Sequence, residues 1–168
     1  MKKYIICIVL SVFFTLTAAC SQKDTSDQSD HTQKNISMAN LQESMFSADT
    51  TLPKMTTISS DDEQAELNFT YLSDLSYNMV DSYFYAYATD GTAEEIAVIK
   101  LKDKGDVSTM MDALHDHIKQ RQGTFQEYAP EQVGMTEKAV ITREDSYVAL
   151  IISQKNGLVQ KTFQSFFE

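Results

Sequence analysis

Residues 77–106 read YNMVDSYFYAYATDGTAEEIAVIKLKDKGD, and this stretch constrains the fold more than any other. Met79 to Ala88 is rich in Val, Tyr and Phe, the residues that fit a pleated surface. Asp90-Gly91 is a turn signal, and Glu95 to Lys102 is again aliphatic. The spacing predicts a β-hairpin with a loop of a few residues. Gly105-Asp106 then opens a helix, with Val107, Met110, Met111, Leu114 and Ile118 at helical spacing, ending near Gly123. The same order returns further on. Lys138 to Arg143 and Ser146 to Ser153 form a second hairpin about Glu144-Asp145. Leu158, Val159, Thr162, Phe163, Phe166 and Phe167 then share one helical face behind Asn156-Gly157. Between the two units, FQEYAPEQ contains Pro130 and reads as an extended connection.

Ahead of the first hairpin, Ser37 caps a short helix whose face carries Met38, Leu41, Met45 and Phe46. Residues 50–60, with Pro53 and clustered hydroxyls, read as a loop. Asp61, Asp62 and Glu63 suit the N-terminus of a second short helix through Ala65, Leu67 and Leu72. Antiparallel strands with returning helices define an α+β class. The expectation is a two-layer sandwich: a mainly antiparallel, four-stranded sheet from two ββα units, with helices on one face.

The chain begins MKKYIICIVLSVFFTLTAAC. Two lysines, an apolar run and a small-residue step are the layout of a secretory signal peptide. The run is shorter than the roughly 20 apolar residues of a spanning helix. Leu16-Thr17-Ala18-Ala19-Cys20 resembles the lipobox of bacterial lipoproteins, departing from it at Thr17, where an aliphatic residue is usual. The resemblance implies cleavage before Cys20 and diacylation of its sulfur, a palmitate-type anchor on the outer face of the cell membrane. Two acyl chains anchor stably where one does not. The expected boundaries are a signal peptide over 1–19, an acylated Cys and polar tether over 20–36, and one domain over 37–168.

Of the two cysteines, Cys7 leaves with the signal peptide and Cys20 is the attachment point. The folded part then has no disulfide, thiolate metal site or cysteine nucleophile. Ser21 to Asn35 holds no aliphatic or aromatic residue, so it cannot bury enough surface to fold. His31 there is a polar linker residue. The chain has 14 Lys+Arg against 24 Asp+Glu; losing Lys2 and Lys3 leaves 12 against 24, a net of −12. Such a surface excludes nucleic acid and anionic lipid faces as partners.

Glu95-Ile-Ala-Val-Ile-Lys100, Asp103 with its following helix, Phe125-Gln-Glu-Tyr128-Ala-Pro130-Glu131, Ala139-Val140 and Tyr147-Val-Ala-Leu-Ile-Ile-Ser153 together resemble a family of Firmicutes lipoproteins. The resemblance covers about Leu67 to the C-terminus. Its C-terminal domain is one of unknown function, so what it implies is a Gram-positive cell-envelope location and no activity, cofactor or site residue.

Chemistry-bearing motifs are sparse. In His115-Asp116-His117 the imidazoles lie two residues apart, about 200° around a helix, so one ion does not take both. His115 borders the apolar face and packs against it, while His117 is solvated. Five glycines leave little material for a nucleophile elbow or phosphate loop, and no such motif is present. Asp61-Asp62-Glu63 reads as a solvated helix cap. Alternation places Tyr83, Tyr85 and Tyr87 on one strand face, opposite Phe84, Ala86 and Ala88. With Phe84 against the helices, the tyrosine row lies on the sheet's open face as a recognition surface, with Tyr128 near it. The reading that follows is a non-enzymatic binding or interaction module without metal or cofactor, its partner an envelope protein or wall glycan. The alternative is a hydrolase of cell-wall material using Asp90, Glu94, Glu95 or Glu131 as paired carboxylates.

Overall fold

The computed structural model describes residues 36–168, which belong to one compact unit. The signal peptide, Cys20 and the tether with His31 lie outside the described residues. Helix α1 is Met38–Ala48, with Ser37 Oγ accepting from Asn40 N. Strand β1, Met55–Ser59, and helix α2, Ala65–Phe69, follow. Strands β2, Val80–Ala88, and β3, Glu95–Leu101, form the first expected hairpin. Its turn needs Gly91, whose φ of +84° a side chain would strain. Helix α3, Val107–Tyr128, is followed by the short α4, Val133–Thr136. Strands β4, Val140–Glu144, and β5, Tyr147–Ile152, form the second hairpin, and α5, Asn156–Ser165, ends the domain.

The sheet is antiparallel throughout, with five strands in the order β1-β2-β3-β5-β4, not four. The extra strand is β1, drawn from the stretch that reads as loop. Its Thr57 and Ile58 pair with Ala86 and Tyr85, so a partner edge overrides the hydroxyl-rich composition. Pro53 stands just ahead of it, where no ladder hydrogen bond is lost.

Helices also cover both faces, where one was expected. Register sets Tyr83 opposite Ile99 and Val148, and Tyr85 opposite Ala97 and Leu150. These residues share a core with Met110, Leu114, Ile118 and Phe125 of α3. On the reverse face, Phe84, Val98 and Ala149 align, and Ile96 aligns with Ile151. They pack with Leu41 and Met45 of α1 and with Val159 and Phe163 of α5. The cause is in the central strands, which are apolar on both sides. A sheet of that kind needs cover on both faces.

Helix α3 passes Gly123 and takes in Phe125, which continues the buried stripe from Ile118. The extra contact outweighs the roughly 1 kcal/mol cost of a mid-helix glycine. The helix stops at Ala129, before Pro130. FQEYAPEQ is therefore a helix end and a tight turn, not an extended connection.

Candidate functional site

The tyrosine row does not lie on an open face. Tyr83 and Tyr85 are buried and Tyr87 is half-buried, all on the side that α3 covers. Tyr83 donates its hydroxyl hydrogen to Ala65 O at 2.7 Å and packs edge-on to Phe69. Burial holds its phenol well above the ordinary tyrosine range. Tyr128 is exposed at the end of α3.

Beneath α3 lies a buried polar cluster that reading by type and spacing alone passed over. Glu95 opens β3 in the row Tyr87–Glu95–Ile152, so its side chain enters the core on the α3 face. It is completely buried. His117 Nε2 lies 2.7 Å from Glu95 Oε2, and Arg121 Nε forms an ion pair with Glu95 Oε1. Arg121 also lies over the Phe125 ring, 4.6 Å from its centroid. Tyr85 stands edge-on to His117, with 6.0 Å between ring centroids. Burial, then the adjacent Glu95 charge, pushes the Tyr85 phenol far up, against a smaller opposing effect of Arg121.

The expected roles of the two α3 histidines are thus reversed: His117 is buried and His115 exposed. A signal for this exists. Met110, Leu114, His117, Arg121 and Phe125 recur at three- and four-residue steps, placing an imidazole and a guanidinium on the core stripe. Two such groups on a buried stripe require a counter-charge. Glu95, at the head of an aliphatic strand, is it.

His117 also reaches a cleft of about 260 Å³ between α3 and the segment after α2. Tyr71, Ser73 and Asp74 line one side; Asp116, His117 and Gln120 line the other. A larger depression of about 870 Å³ runs between α4 and the start of α5, with Glu131, Lys138 and Lys155 along it. Asn156 there is already engaged, its Nδ2 donating to Lys138 O and its Oδ1 accepting from Ser153 N. The smaller cleft is the better candidate, because only it opens onto a buried ionisable cluster.

The other expected carboxylates have separate surroundings. Asp90 accepts from Thr92 N and Oγ1 in the hairpin turn, which holds it below the usual carboxylate range. Glu94 is buried, with one carboxylate oxygen lacking a hydrogen-bond partner. Among the described residues no group of three or more His, Cys, Asp or Glu is placed to hold a metal ion, and no helix is long and apolar enough to cross a membrane.

Fold and site together define an α+β domain with a five-stranded antiparallel sheet and a buried Glu–His–Arg cluster facing a cleft. The chain belongs to the family of the domain of unknown function DUF4358, which matches residues 54–153. That span contains Glu95, His117, Arg121 and both sides of the cleft; α1 and α5 fall outside it. No curated protein and no solved structure matches the chain.

Proposed function

We propose that this protein is an exported lipoprotein of the cell envelope, held to the outer face of the membrane through Cys20, whose domain binds a small polar ligand in the cleft beside His117. One observation carries the binding reading. A nine-tenths buried imidazole, fixed by a fully buried carboxylate, lines an open cleft. Burying ionisable groups costs stability, and a cleft in which they meet the solvent gives them a use. The tyrosine surface has no part in this reading beyond Tyr85, which packs the imidazole from behind.

The anchor rests on the sequence of residues 1–20 and is tested by acyl labelling. Incorporation of labelled palmitate into the membrane-bound chain, lost with Cys20→Ala, is the expected result. Recovery of unlabelled, soluble wild-type chain refutes it. Binding is tested by thermal unfolding of the full chain in detergent against wall fragments, sugars, amines and divalent metals. A ligand of the native state at a hundred times its dissociation constant adds about 2.7 kcal/mol. A rise in midpoint that His117→Gln removes supports the cleft; a rise indifferent to that change refutes it.

A hydrolytic reading has one observation in its favour, the Glu95–His117 pair. An imidazole oriented by a carboxylate is the arrangement of a general base. The two readings differ in turnover. Release of product from wall fragments by the wild-type chain, and none by His117→Gln, favours the hydrolase.

A further inference from the structure

The chemistry of the cleft narrows its occupant, a step that rests on the reading of this cleft as the binding site. A carboxylate only accepts hydrogen bonds, so His117 Nε2 must be the donor to Glu95 Oε2. The neutral ring then presents Nδ1 as an acceptor, and Nδ1 has no hydrogen-bond partner among the described residues. His117 is only 7% exposed, so this unpartnered atom is nine-tenths buried, and the cleft is where the residue meets solvent. Two further acceptors line the same cleft. Asp116 is shared with Lys119 at 2.8 Å, while Asp74 makes no ion pair among the described residues. No Lys or Arg lines the cleft. Tyr71, 67% exposed, adds an aromatic face.

An anion would meet acceptors of its own sign here. A neutral polyol could donate to them, but without charge assistance. A primary ammonium group brings three donors and a positive charge, the combination that acceptors of this kind and an aromatic face attract most strongly. At about 30 Å³ per water, the cleft's volume corresponds to roughly nine displaced waters, the scale of an amino acid or amino sugar. We propose that the cleft binds a small ligand through a primary ammonium group, with His117 Nδ1 and the Asp74 carboxylate as its acceptors.

The test uses the full chain in non-ionic detergent and calorimetric titration with matched probes. Cadaverine and glucosamine carry the ammonium group; 1,5-pentanediol and glucose are their neutral counterparts. The ammonium probes are expected to bind at least tenfold more tightly than the neutral ones. His117→Gln keeps a donor for Glu95 but removes the acceptor, and Asp74→Asn changes an exposed side chain. Each is expected to weaken ammonium binding tenfold or more, with circular dichroism unchanged. If Asp74→Asn binds like wild type, the proposed contact is overturned, whatever happens to the fold of the His117 variant. Equal binding of the neutral probes, lost in His117→Gln, overturns the ammonium assignment and leaves the cleft standing. Ammonium binding untouched by both variants, or no binding of any probe, overturns the assignment and the cleft together.

Discussion

Glu95→Ala is the sharpest perturbation this fold offers. In the folded chain Glu95 is completely inaccessible, and both its oxygens face cationic or hydrogen-donating partners, His117 and Arg121. Removing it leaves the His117 N–H without its acceptor and Arg121 without its counter-ion. Breaking a buried pair at one end costs about 3–5 kcal/mol. Arg121 is 30% exposed and can turn toward water, which places the expected loss near the lower end, about 3 kcal/mol. For a domain of this size that is a fall in Tm of roughly 12 °C. Urea unfolding should show a lower midpoint at unchanged slope, the sign of a native-state loss. Asp116→Ala provides the contrast, since its pair with Lys119 is 66% and 73% exposed. There the loss should stay below about 0.5 kcal/mol. A double-mutant cycle of Glu95→Ala with His117→Ala should give a coupling of about 1–2 kcal/mol. A loss under about 1 kcal/mol for Glu95→Ala, with zero coupling, would refute the claim that this carboxylate holds the cluster.

Two other substitutions follow from the same accounting of buried polar groups. Burial works against the Asp49 carboxylate, but donors from Thr51 Oγ1, Thr51 N and Lys155 N outweigh it and hold its pKa below the usual value. A depressed folded pKa means that its stabilisation is full above the unfolded value of about 4 and is lost as pH falls through the folded one. Asp49→Asn is therefore expected to cost about 1–2 kcal/mol at pH 7 and to lose less than wild type on acidification below about pH 4; parallel acid limbs in pH-dependent urea unfolding would contradict this. Tyr83→Phe removes the hydrogen bond to Ala65 O that ties α2 to the sheet, and should lower stability by about 1 kcal/mol; an unchanged urea midpoint would show that this contact contributes nothing.

The hairpins were legible because their signals are local. Asp90-Gly91 and Glu144-Asp145 mark turns, and each aliphatic run carries its own strand propensity; β2–β3 and β4–β5 lie within two residues of expectation. Strand β1 was not legible, because Met55-Thr-Thr-Ile-Ser59 becomes a strand only against the exposed edge of β2. The placement of the tyrosines failed for a related reason. Strand alternation correctly set Tyr83, Tyr85 and Tyr87 on one face, but which faces are covered depends on where α1 and α5 return. The pattern TyrValAlaLeuIleIle, apolar at every position, already argued for cover on both sides. The Glu95–His117–Arg121 cluster joins residues 22 and 26 positions apart through tertiary packing. Only the polar interruptions of the α3 stripe hint at it.

Those interruptions bear on why the cluster exists. Replacing a buried ionic group with well-packed apolar residues is often neutral or stabilising by about 1–4 kcal/mol. Glu95→Leu, His117→Leu and Arg121→Met combined should accordingly fold at least as stably as wild type, although Glu95→Ala alone is costly. The removed side chains are embedded beside Tyr85, Leu114, Ile118 and Phe125, an apolar setting that suits the replacements. If the triple variant is stable and no longer binds the ammonium probes, the cluster serves the cleft and the fold merely tolerates it. If the triple variant is destabilised by several kcal/mol, the ionic group specifies the packing of α3 on the sheet. Its presence would then say nothing about a ligand. Thermal unfolding and titration of one protein thus separate a cluster kept for function from one kept for the fold.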